Sequence, residues 1–193
     1  QPGGHTSQRE MQDSFRLRNK IFFVEDDTRT AFEPGRTAPL CQLQDAEDSI
    51  NILKRDFGRN ICEDTYSWWF DQPASQIYDY WGPRYNHPDF FKTFERQQKI
   101  AHFAFDLDRR KRNEIAVIFD QDSVFCASMQ THKDACEYFR AMELANLGAP
   151  VDYYFHDDLE REDMPDYRLY IFTNAFWLTE RERQAIARKV KKN

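Results

Sequence analysis

Three consecutive acidic residues follow the first strongly apolar run of the chain, and their carboxylates could bind a ligand or take part in catalysis. Residues 21–24, Ile-Phe-Phe-Val, have the β-branched and aromatic composition of a buried strand. Glu25, Asp26 and Asp27 come directly after it, where a strand would leave its sheet. Adjacent carboxylates repel one another, so the cluster needs an explanation. Phosphoryl acceptance, metal binding, glycosidic-bond chemistry and the start of a solvated loop are the explanations that these residue types allow.

The first two chemical explanations fit the surrounding sequence poorly. The letters VEDD resemble the acidic pair of a response-regulator receiver domain, in which a helix follows at once and the second strand ends in an isolated Asp. Here Pro34 and Gly35 interrupt, and the second strand ends in Trp-Trp-Phe-Asp. Asp26 and Asp27 could contact Mg²⁺ or Ca²⁺, but oxygen cages need more ligands than neighbouring residues can aim at one point.

Glycosidic-bond chemistry fits better, because a second acid-ended strand supplies aromatic residues. A retaining glycosidase needs a carboxylate nucleophile and a second carboxyl group as acid/base. Residues 66–71 read as a strand ending in Trp68, Trp69 and Asp71, and the following loop contains Trp81. Aromatic rings offer flat apolar platforms to sugars, and Asp accepts hydrogen bonds from hydroxyls. If the two strands are parallel neighbours, their ends meet at one edge of the sheet.

The elements that must position these residues alternate between strand and helix patterns. After a first strand at 20–25, we expect a helix at 45–62 with Asp45 as its N-cap, and a helix at 88–108 with Pro88 in its first turn. The second helix should bury Phe91, Phe94, Ile100, Phe103 and Leu107. Strands are expected at 114–120, 151–155 and 169–173, a helix at 131–147, and a last helix opened by the capping box of Thr179 and Glu182. This alternation predicts an α/β protein with mainly parallel sheets, divided near residue 110.

Composition excludes some function classes. The chain has 193 residues, a formal net charge of −6 and 16% aromatic residues. A general nucleic-acid or anionic-membrane binder is therefore not expected, and the basic run at 109–112 is interpreted as a solvated linker. No segment is apolar enough to span a membrane. The four cysteines lack zinc-ligand spacing and do not define a redox compartment.

Several stretches, taken in order, resemble a known enzyme family. They are KIFFVEDDTRT, SINILKRDFGRNI, YSWWFDQ, HPDFFKTFERQQKIA and EIAVIFDQDS, followed by NLGAPVDYYFHDDLEREDMPDYRLYIFTNAFWLTERERQAI. Their order and spacing resemble the β-galactosidase-like enzymes of glycoside hydrolase family 42. The resemblance covers nearly the whole chain from about residue 14. The last stretch resembles that family's second domain, which has a glutamine-amidotransferase-like fold and is called the trimerisation domain.

The resemblance implies a fold and a set of site residues. Residues 1–109 would be the C-terminal portion of a (β/α)₈ TIM barrel, containing strands seven and eight. Residues 113–193 would be the first part of a second parallel α/β domain of flavodoxin or amidotransferase type. Glu25 falls at the family's nucleophile, Trp68, Trp69, Asp71 and Trp81 fall among sugar-contacting residues, and Arg29 could brace the site. A β-glycoside or oligosaccharide substrate and a homotrimer are implied, whereas neither an organic cofactor nor a catalytic metal is.

One departure from the family limits the expected activity. The family's acid/base Glu lies on an earlier barrel strand for which this chain has no counterpart. We therefore expect the isolated polypeptide to be inactive, because double displacement needs both carboxyl groups. The alternative is a non-catalytic carbohydrate-binding or oligomerisation module with a degenerate site, in which Glu25 would be ion-paired or turned to bulk solvent.

Two further groups have ordinary explanations. Cys126 lacks the elbow motif of an amidotransferase nucleophile and is interpreted as a packed or surface thiol. His156, Asp157 and Asp158 follow a strand and could suggest a metal site, but we expect a loop that caps and solvates the strand end.

Overall fold

The computed structural model describes residues 11–26, 28, 30–32, 43–71, 74–75, 80–81, 85–110, 112–134, 144 and 147–191. This part of the chain is a mixed α/β structure with parallel strand pairs, as the sequence pattern predicts. Its strands form no barrel. No helix among these residues is long and apolar enough to cross a bilayer.

The described residues form two compact units. Residues 23–110 make up the first unit, and residues 11–22 join 112–191 in the second. The predicted division near residue 110 coincides with this boundary. The predicted first domain, 1–109, included residues 11–22, which instead lie with the second unit.

Helices and strands alternate along both units. In chain order the structure contains α1 (Gln12–Leu17), β1 (Phe23–Asp26), α2 (Ala46–Cys62), β2 (Tyr66–Trp69), β3 (Ala74–Ser75), β4 (Tyr80–Trp81), α3 (Pro88–Phe105), β5 (Ile115–Phe119), α4 (Met129–His132), β6 (Val151–Phe155), β7 (Leu169–Phe172) and α5 (Glu180–Val190). A 3₁₀ helix, Asp122–Cys126, begins shortly after β5, and another, His156–Glu160, follows β6 directly.

Local capping signals place most of the helix starts. The Asp45 carboxylate accepts the Asp48 N–H at 2.9 Å and begins α2, as predicted. Pro88 occupies the first turn of α3, as predicted. The capping box of Thr179 and Glu182 opens α5, with each side chain accepting the other residue's N–H.

The helix predicted at 131–147 is only partly within the described residues. Its described start, α4, begins at Met129, where the Ser128 hydroxyl accepts the Thr131 N–H at 3.1 Å. Residues 135–143 lie outside the described part of the chain. Gly148, the predicted C-cap, has a φ of 73°, in the left-handed region that favours glycine.

In the first unit, β1 and β2 pair in parallel, and β3 pairs with β4 in antiparallel fashion. One core cluster packs Leu53 of α2 against Tyr85 and Phe90. Partly buried residues complete this cluster: Ala46, Ile50, Trp69 and Phe94. The Gln97 side chain, also buried, donates to the Leu53 carbonyl at 3.2 Å and fixes α3 to α2.

The predicted buried face of α3 is wrong. Phe91, Ile100, Phe103 and Leu107 are exposed, whereas Phe90, Gln97 and Ala104 are buried. Aromatic residues occur on more than one side of this helix, so apolar spacing alone did not select the side that meets α2. Phe94 is the one residue of the predicted set that packs against the core.

The sheet of the second unit is parallel, with the strand order β6-β5-β7. Its central strand β5 is apolar throughout because both of its faces are covered. Ala116 and Ile118 pack on one side with Tyr154, Leu159 and Ala185. Val117 packs on the other side with Leu144 and Val151.

Helix α1 covers the free edge of β6 with side chains. The Asp13 carboxylate accepts the Tyr153 N–H at 2.8 Å, and the Ser14 hydroxyl accepts the Phe155 N–H at 2.6 Å. These two N–H groups belong to alternate residues of an edge strand, where they would otherwise be open to pairing with another chain. The short helix therefore closes this edge of the sheet.

The buried carboxylate of Asp158 holds α1 in place. It accepts hydrogen bonds from the Ser14 hydroxyl, from the Arg18 guanidinium and, at 3.2 Å, from the Phe155 N–H. Burial raises the pKa of Asp158, and the hydrogen bond from Ser14 and the charge of Arg18 oppose that rise only in part. Asp158 thus joins α1, β6 and the following 3₁₀ helix.

Removing either capping side chain should release one specific backbone amide. In Ser14→Ala we expect faster hydrogen exchange at the Phe155 amide, by roughly two- to tenfold, because a net hydrogen bond contributes about 0.5–1.5 kcal/mol. In Asp13→Ala the larger acceleration should occur at the Tyr153 amide. Exchange measured by NMR separates the two. Equal acceleration at both amides in both variants would show that α1 detaches as a whole instead.

The raised pKa of Asp158 has a consequence for stability against pH. A carboxyl group whose pKa is higher in the folded than in the unfolded chain stabilises fully below its unfolded pKa, which is about 3.9. That contribution is lost as pH rises through the folded pKa. Against Asp158→Asn, which cannot ionise, the native protein should therefore lose relative stability upward from about pH 4. Urea unfolding at several pH values measures this, and a relative gain over the same interval would contradict it.

Candidate functional site

The register of the first unit places Glu25 directly beside Trp68. β1 and β2 run parallel, with Glu25 opposite Trp68 and Asp26 opposite Trp69. Side chains alternate between the faces of a strand, so each opposed pair shares one face. Glu25 and Trp68 therefore lie together on one face, and Asp26 and Trp69 lie on the other. The two strand ends meet at one edge, as the sequence predicted.

The face that carries Glu25 is open. Glu25 is exposed, and Trp68 keeps 41% of its surface accessible. Phe70, two residues beyond Trp68, meets the Trp68 ring edge-on, with ring centroids 5.7 Å apart at 88°. A carboxylate thus stands beside a pair of aromatic rings that solvent can reach.

The opposite face is structural. The Asp26 carboxylate is buried and accepts the Thr28 N–H at 3.0 Å, which turns the chain as it leaves β1. Trp69 packs on Phe94 of α3 with ring centroids 4.1 Å apart. Trp69, predicted to contact sugar, is thus placed in the core on the face away from Glu25.

Hydrogen bonds hold the strand end firmly. The buried Tyr85 hydroxyl lies 3.3 Å from the Asp26 carbonyl and 3.0 Å from the Thr28 carbonyl, and it donates to this pair. The Thr28 hydroxyl lies 3.3 Å from the Asp56 carboxylate of α2. The Phe70 N–H donates to the Asp26 carbonyl at 2.9 Å, which extends the pairing beyond β2. Such support is what a site needs to keep a reactive group in position.

The remaining predicted residues are only partly placed. Asp71 is exposed just beyond the end of β2. Trp81 belongs to β4, but its side chain, like the whole of Arg29 and Asp27, lies outside the described residues. Within the described part, the Glu25 side chain takes part in no hydrogen bond or ion pair, so its carboxylate oxygens are available to a ligand.

This arrangement combines a group that can accept hydrogen bonds or act as a nucleophile with an apolar platform. A carboxylate with free lone pairs accepts hydroxyl hydrogen bonds or acts as a nucleophile, and an adjacent indole provides an apolar platform. Asp26, the neighbouring acid in sequence, faces the opposite side and does not serve as a second catalytic carboxyl group on this face.

Sequence reasoning missed a polar cavity in the second unit. Its lining residues are Asp120, Gln121, Asp122, His156, Asp157 and Glu182. The predicted solvated loop at 156–158 is instead a 3₁₀ helix in which His156 and Asp158 are buried. The available signal was that acids or His directly follow two strands of one predicted parallel sheet. No group of three His, Cys, Asp or Glu residues in the described ranges is arranged to hold a metal ion. Cys126 is an exposed free thiol.

Comparisons with protein-family models, with curated proteins and with solved structures each found no match to this chain.

The two neighbouring tryptophans should respond differently to truncation. Trp69→Ala removes a ring packed in the core and should lower the free energy of unfolding by about 3 kcal/mol, near the lower limit for a large aromatic residue. Trp68→Ala should cost much less, because that ring is widely exposed. Urea denaturation of both variants measures the difference. If Trp68→Ala lowered the free energy of unfolding more than Trp69→Ala, the core would lie on the face that carries Glu25, contrary to the structure.

Proposed function

We propose that this chain is part of a retaining glycoside hydrolase of β-galactosidase type, in which Glu25 is the nucleophile. The observation that carries the proposal is the parallel register, which sets the exposed Glu25 carboxylate beside Trp68 at the end of two strands. The resemblance to glycoside hydrolase family 42 supports the same assignment. The substrate would be a terminal β-glycoside.

The chemistry follows from a carboxylate held beside an aromatic platform. A Glu25 oxygen attacks the anomeric carbon, the bond to the leaving oxygen breaks, and a covalent glycosyl-enzyme forms. Water then attacks that carbon, releases the sugar and restores the carboxylate, so the anomeric configuration is retained. Trp68 holds the apolar face of the sugar ring during both steps.

A second carboxyl group must protonate the leaving oxygen and later activate water. Asp26 is on the wrong face and is used in its own turn. The acid/base is therefore assigned to a polypeptide segment other than the strands described here, and the chain alone is proposed to be inactive on unactivated glycosides.

The packing of a helix on one face of the first unit's strands supports the proposal that this unit is part of a (β/α)₈ barrel. In a (β/α)₈ barrel, helices cover the outside of the strands and active-site residues extend from their carboxyl ends. Here Trp69 faces α3, while Glu25 and Trp68 share the other face. Self-association through the second unit, as a trimer, is proposed from the family resemblance alone.

A non-catalytic carbohydrate-binding or assembly module is the second candidate. Two observations favour it: Glu25 has no hydrogen-bond partner within the described residues, and its face carries the exposed aromatic residues Phe23 and Tyr66. A nucleophile is normally oriented by a neighbouring donor.

A covalent label distinguishes the two candidates. A fluoro-β-galactoside with a dinitrophenolate leaving group needs no proton from an acid, since the leaving group departs as a stable anion. We expect Glu25 to displace it and to carry the fluorosugar, seen by intact mass and peptide mapping. Glu25→Gln should abolish the label and Trp68→Ala should slow its formation. Glu95→Gln, an exposed carboxylate of α3, serves as the matched control and should label normally.

Other outcomes are equally informative. If no label forms but galactose perturbs the Trp68 indole resonance, the binding-module function replaces the hydrolase. If neither a label nor a perturbation appears in folded protein, the strand end has no sugar-related role.

A further inference from the structure

The polar cavity of the second unit lies at the carboxyl edge of its parallel sheet. Its volume is about 150 Å³. Asp120 directly follows β5, His156 directly follows β6, and Glu182 stands in the first turn of α5. In open parallel α/β sheets, ligands bind at this edge, where the connections leave in different directions. The position is therefore suited to a ligand independently of the residues that line it.

The cavity wall is rich in negative charge. Four of the six lining residues are acids: Asp120, Asp122, Asp157 and Glu182. Asp157 is paired with Arg18 at 2.9 Å, while the exposed Asp122 carboxylate makes no contact within the described residues. The Asp122 carboxylate is thus available to hold a cation.

Glu182 stays ionised in this wall. Burial acts to raise its pKa, but the hydrogen bonds from the Thr179 hydroxyl and N–H hold the pKa below its usual value. The Thr179 N–H and hydroxyl donate to one oxygen of Glu182, at 2.5 and 2.7 Å. The other oxygen lies 3.5 Å from His156 Nδ1.

His156 contributes a buried acceptor. Only 4% of this residue is exposed, and its Nε2 is buried without a hydrogen-bond partner in the described part of the chain. In a neutral imidazole that carries its proton on Nδ1, beside the Glu182 carboxylate, the Nε2 lone pair is an acceptor. A buried polar atom without a partner is rare in native proteins and points to a missing donor.

We propose that this cavity binds a small organic cation through a primary ammonium group. An ammonium group supplies three N–H donors and a positive charge, and the wall supplies carboxylate oxygens and an imidazole lone pair. A neutral polyol would satisfy the acceptors without matching the charge. A metal ion is not matched, because the described side chains offer no set of three ligands.

The chain between β7 and α5 gives the cation's hydrocarbon portion a surface. The Phe176 N–H donates to the Ser123 hydroxyl at 3.1 Å, and Ser123 in turn donates to Asp120 of the cavity wall. Phe176 and Trp177 are both largely exposed, at 54% and 63%. In the proposed complex the ammonium group lies against the acidic wall and the alkyl portion extends toward these two side chains.

Putrescine and its neutral isostere butanediol test the proposal on the full 193-residue chain. We expect putrescine to shift the NMR signals of the His156 imidazole and of the backbone at 120–122, saturably, while butanediol does not. Asp122→Asn should weaken putrescine binding about two- to fivefold, the scale of one exposed ion pair. Glu162→Gln removes one exposed charge elsewhere on the second unit and should leave the affinity unchanged.

Three results would overturn the assignment. Equal binding of butanediol would show that charge is not recognised, and displacement of putrescine by Mg²⁺ would show a metal site. If putrescine shifted the NMR signals of all acidic residues, and did so equally in Asp122→Asn and Glu162→Gln, the protein would be attracting putrescine only through its net charge. Putrescine binding does not involve Glu25, so this test and the labelling of Glu25 succeed or fail separately.

Discussion

In each unit, backbone pairing between parallel strands decides which polar side chains lie close together. Parallel neighbours end at the same edge, so residues that follow them in sequence are brought together even when they are far apart along the chain. In the first unit this pairing joins Glu25 to Trp68. In the second unit, Asn174 continues the pairing past β7, because its side-chain amide exchanges two hydrogen bonds with the backbone of Asp120. Both candidate sites depend on this geometry.

The two sheets differ in how their faces are covered. The second unit buries both faces of β5, which is the usual state of a parallel sheet. The first unit covers the face of Trp69 with α3 and leaves the face of Phe23, Tyr66 and Trp68 open to solvent. Apolar surface left in water costs free energy in proportion to its area. The open face is therefore also the one on which a sugar or another polypeptide would gain most by binding.

Features that depend on neighbouring residues were readable from the sequence. The capping box of α5, the N-cap of α2, the proline start of α3 and the bounds of β6 agree with prediction because each rests on contacts within a few residues. The alternation of strand and helix likewise predicted parallel pairing. The sequence did not predict that Glu25 and Asp26 face opposite sides of the sheet, or which of those sides is buried; the packing of α3 decides the latter.

Other features depend on contacts that no local pattern contains. The exposure of Phe91 and the burial of Phe90 follow from where α2 lies, since α3 has aromatic residues on both sides. His156 is buried because α5, distant in sequence, brings Glu182 against it. The membership of α1 in the second unit was equally invisible, because its partners on β6 lie far along the chain.

That placement of α1 fixes an order of events during synthesis. The hydrogen bonds from β6 to Asp13 and Ser14 span 140 and 141 residues, so the helix leaves the ribosome long before its partners exist. The residues of the first unit, 23–110, are synthesised in that interval. Before α1 can cover the edge of β6, the chain must close a loop that contains the whole first unit. Contacts between residues so far apart in sequence form slowly. Until α1 returns, the edge of β6 that carries the Tyr153 and Phe155 N–H groups is open to pairing with another chain.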